Sequence, residues 1–268
     1  MHPIKPLFLA RTKLEIRGMY ACVAANAVVI AFCLGNLVGR YHESGLPWPF
    51  FLPVLLFAYY CADVASGAVH WSIDTWFDTR TLGRAVSIAR EHHTHPQNIL
   101  GYGFLEHATL GSAPSALFVG LAALLTAAFP ASPVTYALMI VWTVMATCLF
   151  FGTSLHNLGH RQPRSRLLRL AQRLRLVVTP EHHWVHHRPG QMVRYCAVNG
   201  WANPLCDRLR VWRRLERVIQ AVTGAEPRRD DLEWKRLQRH APQLAADPGR
   251  APQPPWQLSC PQRVRKAP

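Results

Sequence analysis

The sequence predicts an all-α integral membrane protein: a four-helix transmembrane bundle with a cytoplasmic histidine-rich helical cap and an interfacial amphipathic helix. Three observations support this prediction. Four long stretches are free or nearly free of charge, basic residues are concentrated outside them, and histidines cluster where apolar stretches meet polar ones. Half of the 268 residues are hydrophobic, so their placement decides between a membrane bundle and a water-soluble core.

Four apolar stretches are each long enough to cross a hydrocarbon core, which takes roughly 20 helical residues. The predicted spans are residues 18–39, 49–71, 109–129 and 134–155, and Asp63 is the one acidic or basic residue among them. A single such stretch could be a buried core helix, but four of them, paired by short links, favour a membrane bundle. The first stretch exceeds a typical signal-peptide core, so we expect it to be a retained anchor.

The basic residues predict the orientation in the membrane. Residues 1–17 carry four Lys or Arg, the 72–108 loop carries three, and the chain after His160 carries 22, whereas the two short links carry only Arg40. The positive-inside bias therefore places both termini and the long loop in the cytoplasm, with all the histidine clusters on that side. We expect a tail at 1–17, one membrane domain over 18–236, and a disordered tail at 237–268.

The net charge of +15 belongs mostly to the part of the chain that follows the fourth span. Between Arg164 and Val178, apolar residues recur at helical spacing among arginines, which is typical of a helix lying on an anionic membrane surface. An ordinary amphipathic helix with a solvated charged face is the alternative. No recognition motif accompanies the charge, so we do not expect nucleic-acid binding. The seven cysteines form no Cys-x-x-Cys pair, so no zinc ribbon is indicated.

Eleven of the fourteen histidines lie between His70 and His187. Nine of them are candidate metal ligands: His70, His92, His93, His156, His160, His182, His183, His186 and His187. The last four follow Thr179-Pro180-Glu181, which is typical of a helix start. A helix that begins there presents two pairs of imidazoles at i,i+4 spacing. His156 and His160 have the same spacing.

Any one of these histidine clusters could be structural or pH-sensing, but their joint placement on one side of a membrane predicts a metal site. One zinc ion takes three or four ligands, so this number of imidazoles favours two ions. Imidazole suits iron, copper and zinc alike. Asp63 and Asp74 share a helical face with His70 and are candidates to orient it or another ligand. Alternatively, Asp63 caps polar groups between helices.

Several ordered motifs resemble those of the plasmanylethanolamine desaturases. They are His70-Trp71-x-x-Asp74-Thr75-Trp76, Arg90-Glu91-His92-His93-x-x-Pro96, His156-x-x-x-His160, His183-x-x-His186-His187, Tyr195-Cys196-x-x-x-Gly200-Trp201-x-Asn203, Trp212-Arg213-Arg214-Leu215-Glu216 and Thr223-Gly224-x-x-Pro227-Arg228-x-Asp230-Asp231. The resemblance covers roughly residues 50 to 236. The family usually has Lys-Trp where this chain has Asn157-Leu158, and polar residues where it has His107-Ala108 after Glu106.

The resemblance implies a membrane lipid desaturase of plasmalogen biosynthesis with a histidine-bound di-iron centre. It implies that O2 and two external electrons, from a cytochrome b5-like or ferredoxin-like donor, form the sn-1 C1=C2 vinyl-ether bond of a phospholipid. It assigns the candidate histidines as iron ligands, with His182 as a possible ninth. Asp63, Asp74, Glu106 and Asn203 are candidate supporting residues, and Arg188 and Arg194 are candidate contacts for the lipid phosphate.

Two alternatives stay open at this point. One is a desaturase of an acyl chain in another phospholipid such as phosphatidylglycerol. The other is a non-enzymatic haem- or metal-binding transporter or sensor, although histidines gathered on one side of the membrane do not line a route through it. Arg outnumbers Lys 26 to 4, which favours a bacterial cytoplasmic membrane, and a eukaryotic copy is expected in the endoplasmic reticulum.

Overall fold

The computed structural model is helical, with no β-strand in the part of the chain that it describes. That part comprises residues 12–77, 79–83, 85–86, 89, 92–93, 96, 98–187 and 193–227. The predicted all-α class is therefore confirmed. The tails predicted at 1–17 and 237–268 lie largely or wholly outside the described residues, so the division into tails and one domain stays a prediction.

The helices follow one another with short connections. In chain order they are α1 (Lys13–Ser44), α2 (Trp48–Thr75), the short α3 (Thr79–Leu82), α4 (Phe104–Ala128), α5 (Pro133–Phe150), α6 (Gly152–Leu158), α7 (Arg166–Arg173), α8 (Pro180–Trp184), α9 (Asn203–Arg208) and α10 (Val211–Thr223). A 3-10 turn covers Asn98–Gly101, and the described residues of 85–93 are helical.

Four helices, α1, α2, α4 and α5, are long and apolar enough to cross a membrane. Many of their large apolar side chains face outward, as Val28 (67% exposed) and Leu117 (63% exposed) do. Water would penalise such a surface, whereas the hydrocarbon core of a bilayer does not. The protein is therefore a membrane protein.

The helix boundaries show where sequence patterning and structure differ. Helices α1, α2 and α4 begin before the charge-free stretches, and α1 and α2 also end after them. Caps at the starts of α1 and α4 continue these two helices into polar sequence. Thr12 and Glu15, for example, form a reciprocal capping box at the start of α1. The fourth span was predicted as one helix over 134–155, and this is wrong in detail. Helix α5 ends at Phe150, and α6 begins at Gly152 after a break at Phe151.

Small and polar residues hold the bundle together. The Asn26 side-chain amide on α1 donates to the carbonyl of Ser112 on α4 (2.9 Å). Ser115 Oγ lies 3.0 Å from Asn26 Oδ1 and 2.8 Å from the carbonyl oxygen of Ala146 on α5. Gly111 brings α4 against the carbonyl oxygens that end α5. Close backbone approach and interhelical hydrogen bonds are how helices associate where lipid removes the hydrophobic driving force.

The predicted amphipathic helix is shorter than the sequence pattern suggests. Helix α7 ends at Arg173, because Arg175 adopts a left-handed conformation (φ 53°). Leu167, Leu170 and Leu174 are all more than half exposed, as expected of a helix at a membrane surface. Val178 does not belong to this leucine face, since it is fully buried and its N–H donates to the carbonyl of Val198.

Gly111→Ala should destabilise the bundle, because the new Cβ would overlap the backbone carbonyls of Leu149 and Phe150, which cannot move aside. Overpacking of this kind costs about 1–3 kcal/mol. Thermal unfolding in detergent should show a lower midpoint for this variant. Gly120→Ala is the matched control on the same helix, since nothing lies within 4 Å of its Cβ position. Equal midpoints for the two variants would contradict the packing described.

Candidate metal centre

The histidines converge at the end of the bundle where α2 and α5 finish and α4 begins. His70 lies on the last turns of α2, His92 and His93 on the helical segment before α4, and His156 on α6. The remaining four belong to the α6–α7 connection and to α8 with the turn that follows it: His160, His183, His186 and His187. Apart from His70, which is about one-tenth exposed, these residues are buried.

Five imidazoles form the first candidate metal group. Its members, whose ligand atoms lie within 4.8 Å of one another, are His92, His156, His160, His183 and His187. The Nε2 atom of His183 lies 2.7 Å from that of His156, 3.0 Å from that of His160 and 3.1 Å from that of His187. Two nitrogens bound at right angles to one ion, each at about 2.1 Å, lie about 3 Å apart. These separations therefore suit a shared metal ion.

Three imidazoles and one carboxylate form the second group. Asp74 Oδ2 lies 3.4 Å from His70 Nε2, 3.4 Å from His93 Nε2 and 3.7 Å from His186 Nε2. All four atoms are buried, and none has a hydrogen-bond partner among the described residues. Buried polar atoms are almost always paired, so a cation placed between these four atoms would satisfy all of them. Asp74 is thus a candidate ligand, rather than only a group that orients His70.

The two groups are neighbours. The rings of His92 and His93, one from each group, have centroids 4.3 Å apart, and those of His70 and His156 are 4.9 Å apart. Eight of the nine predicted ligand histidines are therefore brought together, with one carboxylate added. The arrangement can hold two metal ions side by side.

Backbone carbonyls fix the direction in which two of the rings point. The Nδ1 atom of His70 lies 3.1 Å from the carbonyl oxygen of Tyr195, and that of His186 lies 3.0 Å from the carbonyl oxygen of Val193. A carbonyl can only accept, so each Nδ1 carries the proton and each Nε2 keeps its lone pair. Imidazoles that bind metals are commonly oriented in this way by their second nitrogen.

Burial keeps the clustered imidazoles neutral. Desolvation, followed by the neighbouring His93 and His70, lowers the pKa of His160 to about 3. Desolvation and the surrounding imidazoles likewise lower the pKa values of five further ligand candidates well below the ordinary value for histidine. These are His92, His156, His183, His186 and His187. The neutral form is the one that binds a metal ion.

Asp63 does not contact His70, the histidine that it was a candidate to orient, and bonds to a loop instead. Its Oδ1 accepts hydrogen bonds from the backbone N–H groups of Val198, Asn199 and Gly200, and its Oδ2 accepts one from Ala202 (3.0–3.1 Å). Both carboxylate oxygens are thus used to fix the loop before α9, which corresponds to the alternative that Asp63 caps buried polar groups. The loop in turn carries the carbonyl of Tyr195 that orients His70.

His182 lies outside both metal groups, unlike the other eight predicted histidines. Arg194 Nη1 donates to its Nδ1 (2.9 Å), and its Nε2 lies 2.8 Å from Asn203 Nδ2. Burial, then the charges of Arg194 and Arg175, lowers the pKa of His182 to about 4. Helix α8 turns this ring away from His183 and towards the loop at Gly200, so this geometry does not support the prediction of His182 as a ligand.

Two other predicted supporting residues, Glu106 and Asn203, form hydrogen bonds with the backbone. Glu106 caps the start of α4 by accepting from the N–H of Gly103 (2.9 Å). Asn203 bridges Cys196, accepting from its N–H and donating to its carbonyl. Arg194 faces His182, so its contact with a lipid phosphate stays a prediction, and Arg188 lies outside the described residues.

His107, which the sequence pattern does not mark as a site residue, is 3% exposed at the start of α4. Its Nε2 lies 3.0 Å from Asn157 Nδ2, and Asn157 lies between the ligand candidates His156 and His160. The contact therefore ties α6 to α4 beside the first metal group. The one sequence feature that could have pointed to His107 is its position just before the charge-free stretch 109–129.

An apolar cavity of about 460 Å³ reaches the metal groups. His70, His92 and His156 line one part of it, whereas Leu110 and Ala113 of α4 line another. Ala113 is exposed on a candidate membrane span, so the cavity reaches the lipid-facing surface. The volume lies within the range of about 300–1,000 Å³ that is usual for small-ligand sites.

Comparison with known proteins finds relatives that are named as lipid desaturases. A family model for the lipid desaturase domain matches residues 59–230. The chain is 34% identical to plasmanylethanolamine desaturase 1 of Mus musculus over 185 residues, which cover 65% of this chain and 66% of the mouse protein. It is 31% identical to plasmanylethanolamine desaturase of Myxococcus xanthus over 215 residues, covering 77% and 74% of the two chains.

A plant relative is more distant. The chain is 29% identical to the chloroplastic fatty acid desaturase 4-like 2 of Arabidopsis thaliana over 175 residues, which cover 63% of this chain and 60% of that protein. No solved structure matches the chain.

His160→Ala should remove metal from the first group, because His160 Nε2 lies within 3.1 Å of both His156 and His183. His182 belongs to neither metal group and contacts Arg194 and Asn203 instead, so His182→Gln should keep the wild-type metal content. Elemental analysis of the purified variants measures both, with circular dichroism to confirm that each is folded. A loss of metal in His182→Gln equal to that in His160→Ala would contradict the assignment.

Proposed function

The chain belongs to the lipid desaturase family and is an oxidoreductase of that family, and on this premise we propose that it forms the vinyl-ether bond of plasmalogens. The substrate is a plasmanyl ethanolamine phospholipid, and the new double bond joins C1 and C2 of its sn-1 O-alkyl chain. The observation that supports this most strongly is the meeting of an apolar cavity with two adjacent metal groups. The two relatives named as plasmanylethanolamine desaturases favour this lipid.

Two iron ions are the metals that we assign to the groups, since imidazole nitrogens with a carboxylate oxygen form a donor set suited to iron. When bound, they supply the oxidising chemistry with O2 that no side chain provides. The eight histidines and Asp74 would hold the ions, and the carbonyls of Tyr195 and Val193 hold two of the rings in place.

The cavity determines which carbons react. Its walls come from α2 (Val69, Ile73) and α4 (Leu110, Pro114), and they contact an alkyl chain without offering it polar groups. Because His70 and His156 line the same cavity, a chain bound there presents a short stretch of carbons to the metal groups. Positioning of this kind contributes specificity as well as rate. The cavity also keeps water from the reacting carbons.

The overall reaction is balanced by external electrons. One hydrogen leaves C1 and one leaves C2, and these, with two further electrons and two protons, reduce O2 to two water molecules. A cytochrome b5-like or ferredoxin-like protein is the class of donor we propose. We also propose, from the positive-inside bias, that both termini and the metal groups face the cytoplasm. The membrane would be the cytoplasmic membrane of a bacterium or the endoplasmic reticulum of a eukaryote.

A second candidate function is desaturation of an acyl chain in another phospholipid such as phosphatidylglycerol. The plant relative, named as a fatty acid desaturase, favours it. Both candidates use the same metal groups and cavity, and they differ in whether the reacting chain carries an ether oxygen or an ester carbonyl. The lipid products separate them.

Expression of the chain in a host that makes plasmanyl lipids should yield acid-labile vinyl ethers, measured by mass spectrometry of lipids before and after acid treatment. His186→Ala should abolish them, because the ring belongs to the second metal group and is fully buried. His42→Ala, an exposed histidine at the far end of α1, is the matched control and should give wild-type amounts. New double bonds confined to acyl chains would instead support the second candidate.

Gly152→Phe should shorten the cavity, since Gly152 lines it and nothing lies within 4 Å of its Cβ position. We expect turnover of a substrate with a long alkyl chain to fall by about tenfold or more, the loss expected when a reacting chain is displaced. A substrate with a short alkyl chain should retain most of its turnover. Equal losses for both chain lengths would show that the cavity does not hold the alkyl chain.

A further inference from the structure

A second cavity, of about 490 Å³, opens near α9 and α10. We call it the basic cleft, after the three arginines among the residues that line it: Val193, Cys206, Asp207, Arg210, Trp212, Arg213 and Arg217. It lies on the other side of α2 from the apolar cavity. Trp71 of α2 stacks on Trp212, whereas Val69 and Ile73, about 200° away around the helix, line the apolar cavity.

The exposed charge around the basic cleft is positive. Five exposed arginines lie between residues 208 and 217: Arg208, Arg210, Arg213, Arg214 and Arg217. Two acids lie nearby, and each has a partner within the protein. Asp207 accepts from the backbone N–H of Arg194, and the buried Glu216 accepts from the Trp71 indole while facing Arg213. The surface is therefore suited to an acidic partner.

Two aromatic rings connect the basic cleft with the metal groups. The centroid of Trp212, in the wall of the cleft, lies 5.8 Å from that of Tyr195. Tyr195 lies 4.9 Å from His186 and 5.6 Å from His70. Trp212 and Tyr195 are both buried, and the indole N–H of Trp212 has no hydrogen-bond partner among the described residues.

We propose that the basic cleft is the docking site for an acidic one-electron carrier protein, which delivers electrons to the metal groups through Trp212 and Tyr195. This inference rests on the proposed function, which consumes two external electrons for each double bond. Two carrier molecules in turn are each oxidised by one electron. These electrons and two protons join the two hydrogens lost from the lipid in reducing O2 to two water molecules.

The position of the basic cleft favours a protein over the head group of the substrate. A lipid whose chain occupies the apolar cavity would have to pass its head group around α2 to reach Arg213. A carrier that docks on the opposite side leaves the lipid route free. Binding of an anionic lipid from the bilayer to the cleft is the competing outcome of the test.

The binding test uses iron-loaded full-length protein in nanodiscs of zwitterionic lipid and the oxidised soluble haem domain of cytochrome b5 as the acidic probe. The double variant Arg210→Glu with Arg217→Glu should weaken binding at low salt by about tenfold or more, as charge reversal at an interface does. The difference should shrink near 0.15 M salt, where the Debye length is about 8 Å. The matched control, Arg166→Glu with Arg169→Glu on α7, carries the same charge change and should bind like the wild type.

The electron-entry test compares turnover driven by reduced carrier with turnover driven by dithionite in the same preparations. The Arg210→Glu, Arg217→Glu variant should lower the ratio of carrier-driven to dithionite-driven turnover by about tenfold. Trp212→Leu should lower this ratio without changing carrier binding, and Trp212→Phe should restore part of it.

Three outcomes would overturn the inference. They are equal carrier binding by the cleft and α7 variants, unchanged turnover ratios, and an effect of the cleft variant that appears only as lost binding to vesicles of anionic lipid. Failure of the proposed function is distinguishable from these, because it would show as no vinyl-ether product with either reductant.

Discussion

The structure depends on the burial of eight imidazoles and one carboxylate around two neighbouring points. In the second group, the Nε2 atoms of three histidines lie 3.4–3.7 Å from Asp74 Oδ2, buried and without a hydrogen-bond partner among the described residues. Buried polar atoms without partners are unfavourable unless a cation lies between them. A metal ion bound there would satisfy these atoms, and its binding free energy would contribute to folding. The helices, the loop anchored by Asp63 and the apolar cavity are all arranged around that cluster, so the residues that stabilise the fold also shape the candidate metal site.

Much of the site could be predicted from residue spacing. His156 with His160, and His183 with His187, are i,i+4 pairs, and both members of each pair reach the first metal group. Charge-free stretches located the membrane helices, because a bilayer imposes both a length and a composition on them. These signals are local along the chain, and for that reason they could be found without knowledge of the fold.

The remaining features depend on contacts between residues far apart in sequence. Asp63 binds a loop more than 130 residues away, and spacing on α2 could not distinguish that role from support of His70. His182 has the same local setting as its neighbours, but the direction of the short helix α8 points it at Asn203. His107 and Asn157, two departures from the pattern of the family, contact each other, which a residue-by-residue comparison does not reveal.

Iron analysis of the purified protein, together with its visible and Mössbauer spectra, tests the central claim most directly. Eight histidines and Asp74 in two adjacent groups predict about two iron atoms per chain, magnetically coupled, with no Soret band. A fully active preparation with no iron, or one whose iron is all in haem, would contradict the account.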